Sequence, residues 1–311
     1  MSLTVYAPAS MGNVGVGFDL LGAALSPIDG SLLGDRVTIA ASEQGIQLRL
    51  AGVWAHKLPS DAEDNIVYQC AEFFLEQLGS TAGVAMTLEK NLPVGSGLGS
   101  SASSVVAALY ALNEHFAHPF DQQALLRLMG EFEGRISGSI HYDNVAPSYL
   151  GGMQLMLDAP HSVCEGIPVF KEWYWVVAYP GISLSTAKMR QLLPEQYDKC
   201  TTIDFGRYLS AFVHASYRQD AKLAIAMLKD VLAEPYRAQA IPGYEAARDA
   251  LAKLGMLTTG ISGSGPTLFS VTDDLAVAER AKQWLDMHYV EQGNGFSHVC
   301  QIDTLGTRRV D

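Results

Sequence analysis

The run Leu92-Pro93-Val94-Gly95-Ser96-Gly97-Leu98-Gly99-Ser100-Ser101-Ala102-Ser103 follows a strand-like alternation and leads into the apolar stretch from Val105 to Phe116. A glycine-rich turn that opens a helix presents unpaired backbone N–H groups and the positive end of the helix dipole. Together these bind phosphate without a lysine. The spacing is G-x-G-x-G, so it is not the dinucleotide G-x-G-x-x-G, and no Gly-Lys-Ser/Thr marks a P-loop. The same letters also satisfy an ordinary tight turn. The hydroxyls of Ser100 and Ser101 suit a phosphate or a metal ion, and equally a helix cap.

The chain that must position this loop has 311 residues, is 48% hydrophobic and 17% charged, and carries 29 glycines and a net charge of −12. That is globular and acidic, long enough for two domains or one large one. Non-specific nucleic-acid binding needs a basic surface, so no nucleic-acid partner is expected. The acidity is lopsided: residues 1–160 hold 6 basic against 16 acidic side chains, and residues 161–311 hold 15 against 17. An anion held by the first half must therefore be held mainly by something other than side-chain cations. Cys70, Cys164, Cys200 and Cys300 lie far apart, with neither zinc-ligand nor disulfide-framework spacing. The N-terminal residues lack the basic start and apolar run of a signal peptide, so a cytoplasmic protein is expected. The uncharged run from Asn91 to Asn113 carries Pro93, three Gly and five Ser, so no membrane association is expected.

Alternation predicts strands over 4–7, 35–40, 46–50 and 83–88, and helical periodicity predicts helices over 65–78, 101–116 and 121–134. A strand near 152–157 and a buried, aromatic-rich strand over 172–179 follow. Beyond them the pattern predicts a long helical stretch over 205–232, a helix over 243–254, a strand over 267–271, a helix over 275–288 and a strand near 298–303. This order implies an α+β fold in two layered units, 1–160 and 161–311.

The loop Pro93–Ser101 resembles the phosphate loop of the GHMP kinase superfamily. Two companions accompany it in order. Pro8-Ala9-Ser10-Met11-Gly12-Asn13-Val14-Gly15-Val16-Gly17-Phe18-Asp19 is similar to the superfamily's first motif in its homoserine kinase form, and Gly260-Ile261-Ser262-Gly263-Ser264-Gly265-Pro266-Thr267-Leu268-Phe269 is similar to its third. The likeness extends through 64–68, 133–147 and 234–237 and covers essentially the whole chain. One departure is visible: those kinases usually carry Ser-Ala before the Asn, where this chain has Met11-Gly12, a change expected to touch the local turn rather than the chemistry. The resemblance implies a two-domain GHMP kinase fold, with an N-terminal ribosomal-protein-like α+β domain, a ferredoxin-like C-terminal domain and the site between them.

It further implies that ATP phosphorylates the side-chain hydroxyl of L-homoserine to O-phospho-L-homoserine, a step of threonine biosynthesis. By resemblance Asn65 belongs to the adenine pocket, residues 93–103 wrap the triphosphate, and Mg²⁺ sits between Ser101 and Glu133. Asn13, Asp19, His141, Asp143, Thr186, Arg190 and Arg237 line the acceptor site, with Asp143, Asn144 and Arg190 nearest the chemistry. A zwitterion needs an acid for its ammonium and cations for its carboxylate. Asp19 and Asp143 are expected to meet the ammonium or hydroxyl, and Arg190 and Arg237 the carboxylate. Taken singly, each reads as a surface or structural group. Phosphoryl transfer passes through a loose transition state in which the γ-phosphate itself can take the proton, so no dedicated base is expected to be essential. The rival acceptor is a mevalonate-type substrate, which has no amine. The rival of another class is a non-catalytic ATP-binding sensor, against which the intact Ser101 and Glu133 count. Members of the superfamily include homodimers, but no stripe in this sequence marks an interface.

Overall fold

The computed structural model describes residues 2–310 apart from 138, 139, 158, 160 and 292. Two sheets organise the chain. The first has the order β13-β1-β4-β6-β5, from β1 (Leu3–Pro8), β4 (Gly34–Ser42), β5 (Ile46–Ala51), β6 (Gly83–Glu89) and β13 (Arg308–Arg309). Among the described residues only β5 and β6 pair in parallel, because α1 (Ile66–Leu78) supplies the crossover between them. Alternation along β6 turns Val84, Met86 and Leu88 inward against α1, α2 (Ser100–His115), α3 (Gln122–Ser137) and α4 (Val145–Leu150). Asn65 starts α1 as its N-cap, accepting from the Val67 N–H at 2.9 Å. Such a cap is worth about 1 kcal/mol.

The second sheet runs β10-β11-β9-β12-β3-β7-β8, with β2 (Ser10–Gly12) on the flank of β3 (Leu21–Pro27). Its other members are β7 (Met153–Met156), β8 (Cys164–Ile167), β9 (Tyr174–Tyr179), β10 (Thr258–Ile261), β11 (Leu268–Thr272) and β12 (Phe296–Ile302). The spatial order β10-β11-β9-β12 and the sequence of elements between them are those of a ferredoxin-like split β-α-β unit. One face buries Trp175, Val177 and Cys300 against α6 (Lys199–Arg218) and α7 (Ala221–Met227). The other buries Val176, Ala178 and Val299 against α9 (Tyr244–Leu254) and α10 (Leu275–His288). Among the described residues no helix is long and apolar enough to cross a membrane.

The chain forms the expected α+β, two-domain architecture, with local differences. The helix expected over 205–232 is two helices. Gln219 takes a left-handed conformation (φ 54°), and Asp220 then caps α7 through the Leu223 N–H at 3.0 Å. β3 was not foreseen, because Leu21-Gly22-Ala23-Ala24-Leu25 is apolar throughout and lacks alternation. It is buried between β12 and β7, which demands that composition. Residue 160, the expected boundary, lies outside the described residues. Strands are exchanged across that point: β3 joins the sheet of the second half, and β13 returns to pair with β1.

Candidate active site

Lys90 begins the loop that links β6 to α2. Gly95, Gly97 and Gly99 adopt φ of 70°, 82° and 62°, a region that L side chains avoid, which accounts for their alternate spacing. Gly97 has a packing reason as well: a Cβ there would lie 2.8 Å from the Gly265 carbonyl oxygen. Ser262 Oγ donates to the Gly97 carbonyl at 2.6 Å, and the Thr267 N–H to that of Ser96 at 3.1 Å, so the two glycine loops from opposite halves are one unit. Gly99 caps α2 without a side-chain bond, leaving the first-turn N–H groups of the helix facing the cavity.

That cavity, of about 900 Å³, is bordered by Val94, Gly95, Ser96, Gly97, Gly99, Ser100, Ser101 and Ala102. Three residues expected in the triphosphate wrap lie outside its wall. Leu98 is fully buried in the core, Pro93 is buried, and Ser103 donates to the Ala7 carbonyl at 2.9 Å while accepting from the Asp35 N–H at 3.0 Å. They shape the loop from beneath. Asn65 lines the cavity beside Leu58, Pro59 and Ile66. Its Oδ1 is spent on the helix cap, while its buried Nδ2 has no partner among the described residues. A donor set in an apolar slot suits a heteroaromatic base edge.

Ser101 Oγ donates to Glu133 Oε1 at 2.5 Å, joining the start of α2 to α3. Burial pushes the Glu133 carboxyl above its ordinary value. Hydroxyl and carboxylate are hard oxygen donors, and among the described residues no group of three His, Cys, Asp or Glu forms a cation cage. This donor set fits Mg²⁺, which keeps several waters or phosphate oxygens, and does not fit a structural zinc.

The acceptor end is built from four segments. After β2 the backbone turns through Asn13 (φ 70°) and Val14 (φ 45°), and Asp19 is itself left-handed (φ 57°). Strained positions of this kind persist where surroundings over-determine them. Here Asn13 is the bracket: Nδ2 donates to the Gly263 carbonyl at 3.0 Å, and Oδ1 accepts from the Asp19 N–H at 3.0 Å. Asn13 borders the cavity, yet both ends of its amide are occupied by the protein. α5 (Thr186–Gln191), capped by Ser185, carries Thr186 against Ser264 (3.2 Å) and aims Arg190 at Asp19 through two bonds of 2.9 and 3.1 Å. Arg237 ends α8 (Glu234–Arg237), is 3% exposed and donates to the Gly263 carbonyl at 3.1 Å. Both guanidinium groups flank the Phe18 ring, at 5.7 and 5.5 Å from its centroid. Phe18 lay inside the recognised motif, but no sequence signal separated it from a core aromatic.

His141 Nδ1 stands 4.0 Å from Asp19 Oδ1, and burial pushes its pKa down, which disfavours the charged ring that an ion pair with Asp19 needs. Asp143 is 6% exposed; burial first, then the Asp19 charge, push its carboxyl up to about 7. Asn144 accepts from Ser10 Oγ at 3.0 Å and lies against Gly99, tying the first motif to the phosphate loop. Of the lengthened run 137–144, Gly138 and Ser139 lie outside the described residues. The departure at Gly12 reaches beyond the local turn. A Cβ there would overlap the Asp143 carboxylate and stand 2.7 Å from Asn144 Nδ2.

Sequence profiles agree with this geometry. The profile of the GHMP kinases N terminal domain matches residues 65–152, and that of the GHMP kinases C terminal matches 212–289. A crystal structure of homoserine kinase from Cytophaga hutchinsonii is 30% identical, covers 99% of this chain and 97% of its own, and superposes with a TM-score of 0.91. A putative homoserine kinase from Listeria monocytogenes (21% identity, 99% of each chain, TM-score 0.73) shares the fold. So does L. major mevalonate kinase in complex with R-mevalonate (17%, 96% and 95%, 0.69). With both domain profiles matched in order and a full-length relative at this identity, the chain belongs to the GHMP kinase family and is a small-molecule kinase whose phosphoryl donor is ATP.

Proposed function

We propose that the chain transfers the γ-phosphoryl group of ATP to the side-chain hydroxyl of L-homoserine, the homoserine kinase step of threonine biosynthesis. The observation that carries this reading is the presence of both charge signs in one cavity: Arg190 and Arg237 flank Phe18, Asp19 is paired with Arg190, and Asp143 lines the same cavity. Such a cavity matches a zwitterion, with ammonium toward the carboxylates and carboxylate toward the guanidinium pair. Mevalonate, which has no amine, offers no group to share Asp19 with Arg190 or to meet Asp143. The 30% identity to the Cytophaga homoserine kinase supports the same acceptor.

The triphosphate is held by main-chain N–H groups of the loop and the N-terminus of α2, with the base against Leu58, Pro59 and Ile66 and its edge on Asn65 Nδ2. Ser101 and Glu133 would hold Mg²⁺, which when bound neutralises charge on the phosphate oxygens. The homoserine oxygen forms the new P–O bond as the bond to the ADP oxygen breaks. Its proton passes to Asp143 or to a phosphate oxygen, and a carboxyl held near 7 is a competent acceptor at neutral pH.

A coupled ADP-release assay with L-homoserine, R-mevalonate and galactose tests the acceptor: homoserine should give the highest kcat/KM, and faster turnover of mevalonate would sink the reading. In the same assay Arg190→Ala should raise the homoserine KM about 10–200-fold, the worth of a charge-assisted contact, and leave the KM for ATP unchanged.

A further inference from the structure

Beneath the phosphate loop lies a cluster that none of these roles uses. Lys90 is 2% exposed and Asp35 is 0%. Lys90 Nζ donates to Asp35 Oδ2 at 2.5 Å, to the Ser100 carbonyl at 2.7 Å and to Ser104 Oγ at 2.9 Å. Asp35 Oδ1 accepts from the N–H groups of Asn91 (2.8 Å) and Leu92 (3.0 Å), and its Oδ2 also accepts from Ser104 Oγ at 2.6 Å. Ser100 Oγ adds a second rung, donating to the Leu92 carbonyl at 3.1 Å.

We propose that Lys90, Asp35 and Ser104 form a clasp that closes the base of the phosphate loop and sets its shape for the triphosphate. This rests on the reading that residues 94–102 hold phosphate. The bonds run to the main chain where the loop enters (Asn91, Leu92) and to the first residue of the helix where it leaves (Ser100). Between these points stand three glycines at positive φ, a segment with much freedom to lose. The ammonium has no proton left for a ligand, since its three bonds are made within the clasp, and its charge is matched by Asp35. Although it borders the cavity, Lys90 is a positioning residue and not a phosphate ligand. An isolated need for stability would be met as well by apolar side chains at this depth, whereas a fully bonded ion pair fixes direction.

Two variants test the clasp. Ser104→Ala keeps the ion pair and the bond from Lys90 to the Ser100 carbonyl, and removes the second bridge to α2. The double variant Lys90→Met/Asp35→Leu removes both charges, leaving neither uncompensated. Affinity for Mg·ATP, measured by calorimetry, should fall about five- to tenfold for Ser104→Ala, the worth of one buried hydrogen bond, and further for the double variant. Amide hydrogen exchange over residues 91–101 should accelerate while that of β4 and α1 stays as in the wild type, and the homoserine KM should not move. Loop exchange and ATP affinity equal to wild type, or acceleration spread over the whole molecule with ATP affinity intact, would overturn the clasp. Wild-type protein that fails to bind Mg·ATP would overturn the clasp and the reading of the loop together. Affinity and exchange decide the clasp without turnover, so a wrong acceptor is told apart from a wrong clasp.

Discussion

Glu133→Gln should lower kcat about 10³-fold while the protein stays folded, a loss of the size seen when a group acting on developing phosphoryl charge is removed. Glutamine keeps the volume of Glu133 and an oxygen to accept from Ser101 Oγ, so the link between α2 and α3 survives. What disappears is the negative charge, and with it the carboxylate proposed to hold Mg²⁺. Burial already disfavours that charge, so the amide should not lower thermal stability. The diagnostic pattern is a collapse of activity with an unchanged melting temperature, together with loss of the extra stabilisation that Mg²⁺ adds to ATP in the wild type. Activity within tenfold of wild type would remove Glu133 from the metal site.

Asp143→Asn should separate two effects that burial couples. The folded carboxyl is held up at about 7, against an ordinary value of 3.8. Between those values the native chain keeps a proton that the unfolded chain has released, so this group's contribution to stability falls as pH rises from about 4 to about 7 and is level above. The shift corresponds to something on the order of 4 kcal/mol. Asparagine carries no such charge: the variant should melt above the wild type at pH 8, with the gap closing toward pH 4. Its activity should fall about 10²-fold, the low end for a general base, because phosphate oxygens can also take the proton. The rising limb of the kcat/KM profile near neutral pH should vanish. A loss above about 10³-fold with the homoserine KM unchanged would make Asp143 an obligatory base, and an unaltered pH profile would deny it any role in proton transfer.

The gain expected from Asp143→Asn at alkaline pH is the mark of a site that trades stability for function. The buried carboxylate lies where a Cβ at position 12 would overlap it, and Gly12 is the feature that admits it. A sequence comparison treats Met11-Gly12 as a change in a turn. The fold makes it a contact with Asp143, across 131 positions of chain, a separation at which no local pattern operates.

What was legible from the amino acids was whatever depends on neighbours along the chain. The G-x-G-x-G spacing encodes three positive-φ positions, the alternation of β6 and the stripe of α1 encode burial, and Asn65 encodes a helix start. The acidic first half with few cations already implied that any anion bound there is held mainly by something other than side-chain cations. Local pattern failed where burial is two-sided, as in β3, or where one polar pair splits a helical run, as at Gln219-Asp220. The pairings were decided by tertiary structure alone. Lys90 meets Asp35 across 55 positions, Arg190 meets Asp19 across 171, and Asn13 reaches Gly263 across 250. Each of these charges or amides, read alone, is an ordinary polar residue. They become a site because two sheets exchange strands, bringing distant loops to one cavity where low dielectric makes an unmatched charge costly and a matched one directional.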